Sequence, residues 1–356
     1  RWVRPGDIVL LHDPQTLGLA AHLRRAGVTT IWRSHIGVDH ANEWTAQAWE
    51  FLRPLAEPCG AYVFSRAQYV PPFLAGAPVT VIAPSIDPFS PKNQDLAPAA
   101  VARILRTMGL TAATGADGDA DGGTGVFTRA DGSPGRVRER AAVVGEGPPL
   151  DHEAPLVVQV SRWDHLKDMV GVLAGFAAHV AGRHGAQLAL VGPAVHDVSD
   201  DPEGAAVLGE CVVAWEGLAP SLRRHIRLVT LPMEDTDENA AMVNALQRHA
   251  AVVVQKSLAE GFGLTVAEGM WKARPVLASA VGGIVDQVAP DTGVLLPDPT
   301  DLDAYGAALE GLLADATGAA ALGERARRHV RDNFLGDRHL LQYAELLERV
   351  LAPGPG

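Results

Sequence analysis

Short apolar runs recur along the chain. In the first hundred residues they fall at 8–12, 30–35, 61–65 and 79–82, with helical periodicity between them, for example over 41–54. From Leu156 the beat is regular: runs at 156–161, 187–192, 226–232, 251–257, 275–280 and 293–297 alternate with helical stretches at 169–180, 239–248, 264–272 and 302–313. Each run is too short for a helix and almost wholly apolar, the mark of a strand buried on both faces. Strands separated by amphipathic helices predict a doubly wound parallel sheet of the α/β class. A closing helical stretch, 325–351, carries charge on one face and a break at Gly336. No repeat of 20–50 residues recurs, so a solenoid is not expected.

Between about 110 and 154 the pattern fails. GADGDADGGTG offers almost nothing to bury, and FTRADGSPGRVRER after it is rich in turn residues. The first part reads as a flexible loop or linker. Its Asp/Gly run lacks the terminal Glu of a calcium loop, so no metal site is assigned. The expected organisation is a partial first domain over 1–100, a connection over 101–154, a second domain over 155–328, and a helix over 329–356 returning to the first.

Composition narrows the function. The 356 residues exceed one compact core and suit two domains. No apolar stretch reaches the roughly 18 residues of a membrane span. A net charge of −12 argues against nucleic acid as a partner. The two cysteines, Cys59 and Cys211, form no disulfide framework, which suits a reducing cytosol and a cytoplasmic location. Lysine occurs only at Lys92, Lys167, Lys256 and Lys272, a scarcity read as compositional bias. Arg1 stands a few residues before a core run, so the chain reads as the continuation of a longer one.

In doubly wound sheets ligands bind beyond the carboxyl ends of the strands. After the run at 156–160 come Arg162 and Lys167, a planar fork and a point charge suited to a diphosphate; a solvated turn explains them equally well. After 251–257 come Glu260, Gly261, Phe262, Gly263, Leu264, Thr265 and Glu268. Glycines bracket this turn, and a helix starting near Leu264 offers free amide groups to an anion. The two carboxylates can accept hydrogen bonds from sugar hydroxyls, or lie on the surface as solubilising residues. At the ends of the first two runs stand His12, Asp13 and Gln15, then His35. A strand-end histidine is often only a structural cap. The chain has no G-x-G-x-x-G fingerprint after a first strand, no Walker A loop, no G-x-S-x-G elbow and no H-E-x-x-H pair, which disfavours dehydrogenase, serine hydrolase and zinc chemistry.

Glu260 and Glu268, with seven residues between them in the Glu-x7-Glu spacing, resemble the motif of retaining glycosyltransferases of the GT-B fold, family four. A narrower resemblance, to the trehalose glycosyltransferring synthases, rests on HDPQ (12–15), WRSHI (32–36), PSIDP (84–88) with Lys92-Asn93, QVSRWD (159–164), DDPEG (200–204), NALQR (244–248), SLAEGFGLTVAEGMWKARPV (257–276) and AVGGI (280–284). The resemblance implies two Rossmann-like domains facing a cleft, the N-terminal one incomplete here. It also implies glucose transfer from an ADP-, UDP- or GDP-glucose donor to free glucose, giving trehalose with retention. Arg162 and Lys167 would hold the diphosphate and Glu268 the ribose. Glu260 and the backbone of Gly261 to Gly263 would hold the transferred glucose, with His35 near the reacting sugar and Asp13 and Gln15 on the acceptor side. No nucleophile for double displacement is evident, so same-face attack is expected.

The implied chemistry needs no cofactor beyond the donor, and the residues imply no magnesium site. Partners are sugars and the nucleotide sugar; neither membrane nor nucleic acid is expected, and a homodimer is compatible. Beside this reading stand a family-four enzyme with another sugar or sugar-phosphate acceptor, a 2-epimerase of the same architecture, and an inactive nucleotide-sugar-binding fragment.

Overall fold

The computed structural model describes residues 2–112, 125–195 and 202–352. The strands are β1 (Ile8–His12), β2 (Thr29–Ser34), β3 (Ala61–Phe64), β4 (Val79–Val81), β5 (Val126–Thr128), β6 (Pro134–Arg136), β7 (Ala142–Val144), β8 (Leu156–Val160), β9 (Gln187–Pro193), β10 (Ile226–Leu231), β11 (Val252–Gln255), β12 (Val276–Ser279) and β13 (Val294–Leu296). The helices before the second sheet are α1 (Asp13–Leu17), α2 (Ala20–Arg25), α3 (Glu43–Ala56) and α4 (Pro98–Thr107). Within and after it come α5 (Met169–His179), α6 (Pro202–Glu216), α7 (Pro220–Arg223), α8 (Thr236–His249), α9 (Leu264–Trp271), α10 (Ile284–Gln287), α11 (Leu302–Ala314), α12 (Ala316–Asn333) and α13 (Gly336–Leu351).

The chain divides into two compact units. Unit 1 comprises residues 1–85, 260–263 and 334–356; unit 2 comprises 86–259 and 264–333. The division thus falls at 85/86 instead of near 100, and the described residues of the stretch expected as a connection with a flexible insertion fall in unit 2.

Unit 1 is built on a four-stranded sheet in the order β1-β2-β3-β4, with every neighbouring pair parallel. Trp32 and Phe64 pack on one face with Leu17, Leu52 and Tyr69. Ile31, Ala61, Val63 and Ile82 line the other, covered by Leu346 with Tyr343, Leu347 and Val350 of α13. Their spacing of three or four places them along one helical stripe, so α13 docks by its apolar side.

Unit 2 holds a seven-stranded sheet in the order β13-β12-β11-β8-β9-β10-β7. Its five pairings from β13 to β10 are parallel, and β7 joins β10 antiparallel. Two βαβ halves start at β8 and β11 and run in opposite directions, so the order of winding reverses between these two strands. β8 reads Leu-Val-Val-Gln-Val and is closed to solvent except at its end, as a central strand must be.

The stretch after residue 125 is more ordered than its composition predicts. β5 and β6 form an antiparallel hairpin around Asp131–Ser133, and β7 extends the main sheet. Arg129 locks the hairpin to α8 through two bonds to the Asp235 carboxylate, at 3.0 and 2.6 Å. Of the Gly/Asp-rich run, residues 115–124 lie outside the described residues, as do the first two residues of DDPEG. Cys59 and Cys211 are both buried free thiols, and burial pushes Cys211 up to about 12.

Candidate active site

The sheet of unit 2 reverses between β8 and β11, and the residues after these strands form the candidate site. β8 runs into Ser161–Trp163 and a short 3-10 turn, His165–Lys167. Trp163 is buried and its indole Nε1 donates to Pro193 O at 2.9 Å, which pins the loop between the two cations. Arg162 is largely exposed and pairs with Asp164 at 2.9 Å. Lys167 closes the turn, and its carbonyl accepts a 2.7 Å bond from the buried Gln159 side chain.

Asp168, next in sequence, has φ +48, an uncommon conformation for a residue with a Cβ. Two attachments hold it there. Its carboxylate caps α5 by accepting from Gly171 N at 3.1 Å, and it pairs with the fully buried Lys256. The Gln159 side chain also accepts from Lys256 N at 3.1 Å, and Leu258 N donates to Leu166 O at 2.8 Å. The loops after β8 and β11 are therefore stitched together at the reversal.

Glu268 lies in the middle of α9 and is buried, with 7% of its side chain exposed. That overturns the surface-solubiliser reading for this residue. Its Oε1 binds Lys92 Nζ at 2.9 Å, while its Oε2 is buried without a hydrogen-bond partner. One turn on, Lys272 donates to Asn93 Oδ1 at 3.0 Å, Gln247 Oε1 at 2.8 Å and Glu268 O at 3.3 Å. Burial among neutral acceptors pushes this amine down to about 7. Leu264 and Thr265 form the first turn of α9.

Within unit 1, Glu260, Gly261, Phe262 and Gly263 form a turn in which Gly263 takes φ +79. Glycine alone adopts such a conformation without steric cost. Tyr69 Oη donates to Gly261 O at 2.5 Å, and Phe262 lies against Phe334 with ring centroids 6.2 Å apart.

The strand ends of unit 1 bring Asp13 and His35 together. The Asp13 carboxylate accepts from His35 N at 2.8 Å and from its ring Nδ1 at 3.1 Å. His35 Nε2 accepts from Arg33 Nε at 3.2 Å, which assigns the proton of the neutral ring to Nδ1. Burial and then Arg33 push the imidazole down, against the pull of Asp13. Arg33 is itself buried, donating to Ile82 O at 2.9 Å and to Ser65 Oγ at 3.3 Å. His12 stacks on His35 at 5.4 Å, and Gln15 is exposed on α1.

Three of the four lysines, whose scarcity the composition reads as bias, are buried or paired. Lys92, Lys256 and Lys272 are each engaged by groups of the candidate site, and Lys167 closes its first turn. A rare cation after a core strand or inside an apolar helix was the signal. Such a position is costly to keep unless the charge is used.

The family description "Trehalose synthase, N-terminal domain" matches residues 1–71, and "Glycosyl transferases group 1" matches 235–329. The trehalose synthase of Rubrobacter xylanophilus is 33% identical over 347 residues, covering 97% of this chain and 70% of that protein. Among solved structures, the UDP-forming α,α-trehalose-phosphate synthase of Burkholderia xenovorans superposes with a TM-score of 0.68 at 16% identity, over 98% of this chain and 75% of the other. HepE of Anabaena in complex with UDP-glucose gives 0.65 at 14% identity, over 96% and 78%. At these identities the two structures speak to the fold, which is GT-B.

Proposed function

The chain belongs to the trehalose synthase family of GT-B hexosyltransferases, and on that premise we propose that it moves glucose from a nucleoside-diphosphate glucose to free glucose, giving α,α-trehalose with retention. The observation that carries this reading is the pair Arg162 and Lys167 on the loop after β8, where the sheet order reverses. HepE of Anabaena was solved with UDP-glucose, which supports a nucleotide sugar as donor.

In this reading Arg162 and Lys167 hold the diphosphate, and Glu268 accepts from ribose hydroxyls. Glu260 and the 261–263 backbone hold the transferred glucose, with His35 beside it and Asp13 and Gln15 toward the acceptor. The bond from the anomeric carbon to the diphosphate breaks as the acceptor hydroxyl attacks from the same face. The leaving phosphate oxygen takes the acceptor's proton. Charge grows on the diphosphate, and fixed cations stabilise it without reorganisation; one such donor contributes about 3–4 kcal/mol.

The test is a product assay with glucose and ADP-, UDP- or GDP-glucose, reading trehalose by chromatography and trehalase digestion. Arg162→Ala and Lys167→Ala should each lower turnover about 100-fold. Near wild-type turnover in both variants would remove the assignment. Product only from a sugar phosphate would move the reading to a phosphorylated acceptor.

A further inference from the structure

The Lys92–Glu268 pair points to a role for a segment outside both βαβ halves. Residues 86–97 open unit 2 and carry Lys92. Three anchors fix the backbone around it. Asn244 Nδ2 donates to Pro91 O at 3.0 Å and to Gln94 O at 2.9 Å. Trp271 Nε1 donates to Asn93 O at 3.1 Å, and Arg248 Nη2 donates to Gln94 O at 2.8 Å. Asn93 Oδ1 accepts from Lys272. Lys92 is therefore presented from a loop held by the protein's own hydrogen bonds, so less freedom is lost on binding.

Glu268 is the other half of the observation. A carboxylate with one oxygen gripped and the other buried without a partner is rare in native proteins, because an unpaired buried acceptor is costly. The unsatisfied oxygen asks for a donor that the protein itself does not supply. A ribose hydroxyl is such a donor.

We propose that Lys92 is a positioning residue for nucleotide recognition: by binding Oε1 of Glu268 it fixes the carboxylate, leaving Oε2 as the acceptor for a ribose hydroxyl. This rests on the reading of Glu268 as the ribose ligand. Lys272 beneath it holds Asn93 and the Glu268 carbonyl, so it fixes the same two elements from the buried side. In this role Lys92 acts through Glu268.

The experiment is calorimetric binding of ADP, UDP and GDP, each beside its 2′,3′-dideoxy counterpart, to the wild type, Lys92→Met, Lys92→Gln and Lys92→Arg. Melting curves establish that each variant is folded. The wild type should bind one ribonucleotide at least tenfold more tightly than its dideoxy form. Lys92→Met and Lys92→Gln should lose about tenfold for the ribonucleotide and little for the dideoxy form. Lys92→Arg should restore most of the difference. Equal binding of both forms by the wild type would overturn the ribose assignment of Glu268 and this proposal with it. Undiminished discrimination in Lys92→Met and Lys92→Gln would overturn the proposal alone. So would tighter binding by them, which would make Lys92 a competitor for the carboxylate.

Discussion

At the scale of single residues, Lys256 and Lys272 are buried, a position that is costly for a charged amine. Lys272 is lowered from an ordinary 10.5 to about 7, chiefly by burial. Between those values the unfolded chain binds a proton that the folded one does not, so this residue makes stability rise with pH across that window. Urea denaturation at pH 7 and pH 9 should show the rise in the wild type and its loss in Lys272→Met. An identical pH difference in both proteins would mean that the amine stays charged. The candidate cations after β8 and Glu260 after β11 were legible because they follow strand ends, where chemistry collects, whereas Glu268, inside α9, was legible only through the Glu-x7-Glu spacing. Lys92 was legible only as part of a motif, since its partner lies 176 positions away in sequence.

At the scale of elements, the turn from β8 to α5 depends on one left-handed residue. Asp168 caps α5 and neutralises Lys256, so removing either charge strands the other. Lys256→Met should destabilise the protein by about 3–5 kcal/mol. Adding Asp168→Asn should recover part of that loss, because the orphaned carboxylate disappears. A double variant as unstable as the sum of the two singles would deny the coupling. The ten apolar runs read from the sequence all became strands, most of them one or two residues shorter than expected. Burial continues past the last ladder bond, as at Ser65 and Ser257, so apolar pattern alone overstates length. The β5–β6 hairpin was missed for the opposite reason. Only Phe127 and Gly135 of its strands are buried, and its turn residues dominate the composition.

At the scale of the whole molecule, each unit has a core of its own, and that of unit 1 is closed by a distant segment. Leu346→Ala should cost about 2–5 kcal/mol. Calorimetry should register it as a lowered transition of unit 1, with that of unit 2 in place; equal lowering of both would show that the two melt as one. Alternating strands and helices made two parallel sheets readable in advance. That residues 260–263 cluster with 334–356 was not readable, since nothing local in a glycine turn names its tertiary neighbours. The position of α13 in the chain also bears on biosynthesis. Ile31, Ala61, Val63 and Ile82 leave the ribosome early, whereas the helix that covers them comes about 260 residues later, or on the order of 10–50 s at usual elongation rates. Throughout that interval the nascent polypeptide displays a greasy sheet face, a natural client surface for a ribosome-associated chaperone.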